Sequence, residues 1–205
     1  MCPILSPMEK TIRSVVPADA QAISEIYAPF VSESATSFEA VSPDAAEIQK
    51  RIKEVTLKFP WLVFEAGGRV LGYAYGSTHR TRHAYQWSTD VSVYIHETAR
   101  KHGVGRALYL ALFDVLRRQG YFNAYAGITL PNPGSVRLHE SMGFTPVGVY
   151  SRAGFKFGQW HDVVWLQLRL LEEAAPKGDP QPVGNLLANA EVLDLMSRCA
   201  EAVKL

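Results

Sequence analysis

Cysteine is scarce in this chain: Cys2 and Cys199, near opposite ends, are the two that occur among 205 residues. Two thiols build no disulfide framework, and no Cys/His cluster has zinc-ligand spacing, so no metal centre is expected. Both thiols are read as reduced, as in a cytoplasmic protein. Long apolar runs are missing too. None approaches the ~20 residues a helix needs to span a bilayer, so no membrane partner is expected. Lys10 and Arg13 near the N-terminus are not joined to an apolar stretch and cleavage site, so no signal peptide is read there. An excess of one charge is also absent. The formal net charge is +1, which gives no long-range field to gather nucleic acid or anionic lipid. No internal repeat or low-complexity tract is seen.

What is present is the balance of an ordinary globular protein, 47% hydrophobic and 20% charged, in a length that suits one buried core. Residues 1–10 read as a leader and 11–171 as one α/β domain. Residues 172–184, rich in Pro, Gly and charge, read as a linker, and 185–205 as a helical tail. Thr11 to Val16 is a plausible first strand, and Pro17 with Asp19 suits a helix start. Ile23, Ile26, Tyr27, Phe30 and Val31 follow as one helical stripe. Ser42-Pro43-Asp44 opens a second helix. Trp61 to Glu65 and Val70 to Tyr75 flank Gly67-Gly68 as a hairpin.

Asp90 to Ile95 alternates, with Val91, Val93 and Ile95 on one face and Asp90, Ser92 and Tyr94 on the other. The cleanest periodicity predicts a helix over about 103–119, with Val104, Ala107, Leu108, Ala111, Leu112, Val115 and Leu116 facing the core and Gly120 ending it. Asn123 to Leu130 is the next strand, then a short helix over about 135–142. Phe144 to Tyr150 and Val163 to Leu170 are the last strands. Asn185 to Lys204 could form one amphipathic helix with Leu186, Ala190, Leu193 and Ala200 along one side.

The informative segment is Val91 to Arg106. A strand ends and Arg100-Lys101-His102-Gly103-Val104-Gly105-Arg106 opens the long helix. A helix start carries unpaired N–H groups and partial positive charge, and glycines there let a pyrophosphate reach the backbone. An ATP-type loop would need Gly-Lys-Ser/Thr, which Gly105-Arg106-Ala107 lacks. A dinucleotide fingerprint would need glycine or alanine where Leu108 stands. The pattern R/Q-x-x-G-x-G/A after a strand fits in full, as Arg100-x-x-Gly103-x-Gly105. Downstream, Asn132-x-x-Ser135-x-x-Leu138-His139-Glu140-x-x-Gly143-Phe144 follows the fifth strand.

Together these segments resemble the two halves of the coenzyme site of the GNAT acetyltransferases. Phe59-Pro60-Trp61-Leu62-Val63, Ala84-Tyr85, Ser92-Val93-Tyr94-Ile95 and Ala153-Gly154-Phe155-Lys156-x-Gly158-x-Trp160-His161-Asp162-Val163 narrow the likeness to phosphinothricin and methionine sulfoximine N-acetyltransferases. It covers about Thr11 to Leu170. It implies the GNAT fold: a twisted, mixed, mostly antiparallel sheet with flanking helices and splayed central strands, here around 90–95 and 123–130. It also implies acetyl-CoA as co-substrate, no metal, and a homodimer formed around the late hairpin with Lys156, Trp160 and His161.

In the resemblance, backbone groups of Val93 and Ile95 pair with the pantetheine arm. Lys101, His102, Gly103, Val104, Gly105 and Arg106, with Arg100, hold the pyrophosphate, and Asn132 and Ser135 flank the arm. Backbone N–H of Val93 or Tyr94 would hold the oxyanion. Relatives usually place a glutamate base where this chain has Asp90, one methylene shorter; a water relay would restore the reach. His139 takes the place of the tyrosine that protonates the thiolate in many members. Arg80 and Arg82 are candidates to clamp an α-carboxylate, and Phe38, Tyr85 and Trp87 to wall the pocket. Read from the residues alone, Asp90 serves equally as an ion-pair partner of a nearby Arg or Lys, the arginines as a solvated loop face and the aromatics as core. The expected activity is N-acetylation of a small amino-acid-like amine. Another small amine, a protein N-terminus, or a coenzyme-binding regulator are the alternatives. The paired arginines favour an anionic acceptor over a polyamine.

Overall fold

A computed structural model describes residues 8–205; most of the expected leader lies outside the described residues. The chain builds a seven-stranded sheet in the order β1-β2-β3-β4-β5-β7-β6. The strands are β1 (Lys10–Ser14), β2 (Trp61–Ala66), β3 (Arg69–Thr78), β4 (Ser88–Ile95), β5 (Asn123–Thr129), β6 (Thr145–Lys156) and β7 (Gln159–Arg169). The pair β4–β5 is parallel and every other pair antiparallel. The helices are α1 (Ala20–Ser32), α2 (Ala45–Val55), α3 (Val104–Gln119), α4 (Pro133–Ser141) and α5 (Ala190–Glu201).

One face of the sheet packs on α1 and α2 through Ile23, Ile26, Ile48, Ile52, Trp61 and Tyr73. The other packs on α3 and α5 in the larger core. The first strand stops at Ser14, short of the expected Val16, because Pro17–Asp19 turns as a 3-10 helix with Asp19 accepting the Val16 N–H. The stripe of α3 is buried as its period requires. Tyr109 and Phe113, on its flank, are buried too. They stack at 4.9 Å, and Phe144 closes over Phe113 at 5.8 Å.

The tail does not continue as one helix from Asn185. Gly184–Ala188 is a 3-10 turn, and Asn189 starts α5 by accepting the N–H groups of Glu191 and Val192. That cap sets a different face: Val192, Met196, Cys199 and Ala200 are buried while Leu193 is exposed. The tail therefore packs back on the domain and shares its core. Two ties fix its end: Lys10 Nζ donates to the Val203 carbonyl at 2.7 Å, and the Lys204 N–H donates to the His102 carbonyl at 3.0 Å. The linker is strapped across the end of α3, where Gln119 Nε2 donates to the Gln181 carbonyl at 2.7 Å.

Candidate functional site

The site begins where one ladder stops. Pairing of β4 with β5 runs from Ser88↔Asn123 to Asp90↔Tyr125 and ends there. Beyond it, β4 stays paired with β3 as far as Ile95. Strand β5 stays paired with β7 as far as Thr129. The two strands therefore separate while each is held on its outer side. The backbone edges facing the gap have no strand between them, which suits an extended ligand that hydrogen-bonds like one. A cavity fills the gap. Its walls are Val91 to Tyr94, Ala126 to Thr129, Asn132, Ser135 and His139 from α4, Tyr109 from α3 and Thr36 from the loop after α1.

At the open end the chain turns through Glu97–Ala99 into α3. Lys101 (φ 66°) and Gly103 (φ 91°) are left-handed. Such turns aim successive N–H groups into one concavity, an anion-binding arrangement. The first turn of α3 adds N–H groups with no intrahelical partner. Gly105 has a separate reason to lack a side chain, since a Cβ there would lie 3.0 Å from Leu138 Cδ2 of α4. The basic side chains of the loop are mostly engaged elsewhere. Arg100 lies over the Phe30 ring at 5.1 Å. Arg106 donates to the Ser141 carbonyl, and His102 Nδ1 meets the Lys204 carbonyl at 2.7 Å. Lys101 makes no side-chain hydrogen bond among the described residues. Backbone thus supplies most of what this cradle offers an anion.

Asn132 caps α4, accepting the Ser135 N–H at 3.1 Å. That turn presents His139, which is 3% exposed. Its Nδ1 faces the Ser135 carbonyl at 2.8 Å, an acceptor, so Nδ1 carries the proton. Nε2 then accepts from the Tyr109 hydroxyl at 2.9 Å. Burial pushes the His139 imidazole below its ordinary range, against the Ser135 bond that raises it. The resting ring is neutral with an occupied acceptor nitrogen. This differs from a free histidine donor: the group at the cavity wall is a Tyr109–His139 pair, and burial holds the Tyr109 phenol protonated.

The polar face of β4 lies toward α1. Tyr94 turns its ring into Tyr27, Phe30 and Tyr73, at 4.9, 5.1 and 5.3 Å between centroids, while its backbone edges the gap. Asp90 pairs with neither Arg nor Lys. Its Oδ1 meets His79 Nδ1 at 2.6 Å. Burial pushes the Asp90 carboxyl up, and the His79 bond pulls part of the way back. The His79 ring stacks on Tyr125 at 4.3 Å, with Tyr85 at 6.0 Å and Trp165 at 6.2 Å set edge-on. Trp165 lies over the open face of Gly127, itself a cavity-wall residue. Arg80 sits 5.9 Å above Trp165.

The other expected wall residues divide. Tyr85 joins the His79 cluster. Arg82 is exposed at the start of the 83–85 turn. Trp87 turns away, donating its indole N–H to the Gly178 carbonyl at 2.8 Å. Phe38 packs against Gly154, where a Cβ would collide with its ring. Lys156 ties that loop down by donating to the carbonyls of Val31, Ser34 and Ser37. Nothing in the local sequence marks His79, Tyr109 or Thr36. All three depend on register or on packing between elements distant in sequence.

Comparison with known proteins identifies the family. The family model described as an acetyltransferase (GNAT) domain matches residues 12–165. The chain belongs to the GNAT acetyltransferase family. It is 36% identical over 183 residues, 89% of the chain and 98% of the relative, to a phosphinothricin N-acetyltransferase of Streptomyces viridochromogenes. It is 38% identical over 168 residues, 81% of the chain and 98% of the relative, to an L-methionine sulfoximine/L-methionine sulfone acetyltransferase of Salmonella typhimurium. The solved structure of a phosphinothricin acetyltransferase from Sinorhizobium meliloti in complex with AcCoA superposes with TM-score 0.80 at 33% identity, covering 85% of the chain and 97% of its own length.

Proposed function

We propose that this chain moves the acetyl group of acetyl-CoA onto the amine of a small amino-acid-like acceptor of the phosphinothricin or methionine sulfoximine type. The observation that carries the reading is the parting of β4 and β5 after Asp90↔Tyr125, which opens a strand-wide gap onto a glycine-relieved helix start. Acetyl-CoA supplies an activated thioester. Backbone groups of Val93 and Ile95 would hold its pantetheine arm, with Asn132 and Ser135 opposite. The N–H groups from Lys101 to Arg106 would hold its pyrophosphate. The backbone N–H of Val93 or Tyr94 would receive the oxyanion as the amine adds to the carbonyl carbon. The Tyr109–His139 pair borders the position of the leaving sulfur and serves its protonation. Proton removal from the ammonium belongs to the other end, where Asp90 meets His79. Arg80, beside that carboxylate, and Arg82 suit the acid group of the acceptor.

The assembly we infer is a homodimer. Strand β6 is a sheet edge, and Val147, Val149, Tyr150, Phe155 and Phe157 on it or its turn, with Trp160 of β7, are exposed. A cytoplasmic setting suits acetyl-CoA chemistry. Among the described residues Cys199 is a free, buried thiol, and no helix is long and apolar enough to cross a membrane.

Release of CoA thiol from acetyl-CoA across a panel of amines tests the activity. Saturable turnover of phosphinothricin or methionine sulfoximine is expected. Turnover confined to polyamines would overturn the acceptor class.

A further inference from the structure

As a base, Asp90 is poorly placed. Asp90 is one methylene shorter than a glutamate, and one of its oxygens is committed to His79 at 2.6 Å. The difficulty disappears if the carboxylate is not the group that takes the proton. We propose that His79 Nε2 accepts the proton from the substrate ammonium and that Asp90 is the residue that positions the imidazole. This inference rests on the acetyl-transfer reading.

The geometry supports each part. An ionised carboxylate only accepts hydrogen bonds, so Nδ1 of His79 carries the proton and Nε2 is left with the lone pair. Nε2 makes no hydrogen bond to any described residue, and the side chain keeps 11% exposure. The ring is fixed by its stack on Tyr125 at 4.3 Å and 13° and by the edges of Tyr85 and Trp165. A base oriented by a carboxylate on its far nitrogen is a recurring arrangement, because the carboxylate fixes the tautomer and stabilises the imidazolium as it forms. The pair also lies at the inner end of the gap between β4 and β5. Asp90 is the last β4 residue paired with β5, and Ser92, two residues on along the same face, walls the cavity. Arg80 follows His79 directly, so base and carboxylate clamp would be adjacent, as the amine and carboxylate of an α-amino acid are.

The protons balance. Nε2 takes one proton from R–NH3+. The freed nitrogen pair forms the C–N bond, and the C–S bond breaks with its electrons leaving on sulfur. The nitrogen gives up two protons in all. One ends on the CoA thiol and one is released to solvent, through which His79 returns to its neutral form.

The charged and titratable groups around His79 are Asp90 from β4, Arg80 from its own loop, Tyr85 from the 83–85 turn and Tyr125 from β5; Trp165 from β7 is uncharged. The test is the pH profile of kcat/KM for the amine, with KM for acetyl-CoA measured beside it. His79→Asn keeps an N–H for Asp90 and removes Nε2. It is expected to lose about 10²-fold or more in kcat, to lose the acid limb of the profile, and to leave KM for acetyl-CoA unchanged. Asp90→Asn is expected to keep an acid limb, because Nε2 is still present to take the proton. The opposite pattern overturns the proposal: His79→Asn within about threefold of the parent with its acid limb intact, a loss smaller than general-base removal allows, and Asp90→Asn without one. Unchanged acetyl-CoA binding by the variants shows that they fold. A parent that turns over no amine defeats the acetyl-transfer reading itself, and this inference with it.

Discussion

The two halves of the proposed site are built from different material. The coenzyme half, from Val93 through Arg106 and on to Ser135, is mostly backbone: unpaired strand edges, left-handed Lys101 and Gly103, and the first turn of α3. The acceptor half is made of side chains. His79, Asp90, Tyr125 and Trp165 come from β3's exit, β4, β5 and β7 and meet within one aromatic cluster. A backbone site tolerates side-chain change but not a lost glycine. A side-chain site can be retuned residue by residue. The first fits a ligand common to a family, and the second an acceptor that differs between members.

That contrast can be broken by mutation. The largest effect is expected from Asp90→Ala, which removes the carboxylate from the acceptor half. kcat should fall about 10²–10⁴-fold, because the His79 imidazole loses the carboxylate that orients it, with KM for acetyl-CoA unchanged in steady-state kinetics. A rise in KM for acetyl-CoA of similar size would merge the halves. Next is Gly103→Val. A β-branched residue at φ 91° costs about 1–2 kcal/mol, so acetyl-CoA affinity, read by titration calorimetry, should weaken roughly tenfold or more while KM for the amine stays near the parent's.

Tyr109→Phe probes the far wall. It leaves His139 Nε2 without its donor in a buried site, at a cost of about 1–3 kcal/mol. It should lower Tm and slow turnover, without moving the acid limb that belongs to the other end. The smallest effect on activity is expected at Asp19, outside both halves. Arg13 grips it through two hydrogen bonds of 2.8 Å. Burial pushes the Asp19 carboxyl up, but the Arg13 fork and the Val16 N–H outweigh it and hold it below the ordinary carboxylate range. Its stabilisation is therefore complete above the ordinary aspartate range and is lost as pH falls through the lowered value. Asp19→Asn should lower Tm at neutral pH, narrow that gap in acid, and leave kcat/KM unchanged.

The same contrast explains how much could be read from sequence. The helix start at Arg100-x-x-Gly103-x-Gly105 and the cap of Asn132 on Ser135 were legible because each is local. Helix α3 was legible because its apolar stripe has a period. The His79–Asp90 pair was not. It requires knowing that Ser77 faces Asp90 across the β3–β4 ladder, which places the residue after Thr78 beside the carboxylate. Register of that kind is set by the whole sheet. The burial of Tyr109 needed α4 in place, and the rotated face of α5 needed the Asn189 cap. The expected wall residue Trp87 went instead to the linker, because Gly178 offers its indole N–H an acceptor.

The most direct test of the account is mass-spectrometric detection of the acetylated acceptor, with acetyl-CoA and either phosphinothricin or methionine sulfoximine supplied to the purified chain. The account predicts an N-acetyl product that forms catalytically and saturates in both substrates. Folded protein that binds acetyl-CoA and yet acetylates neither compound nor any other amino-acid amine would contradict it.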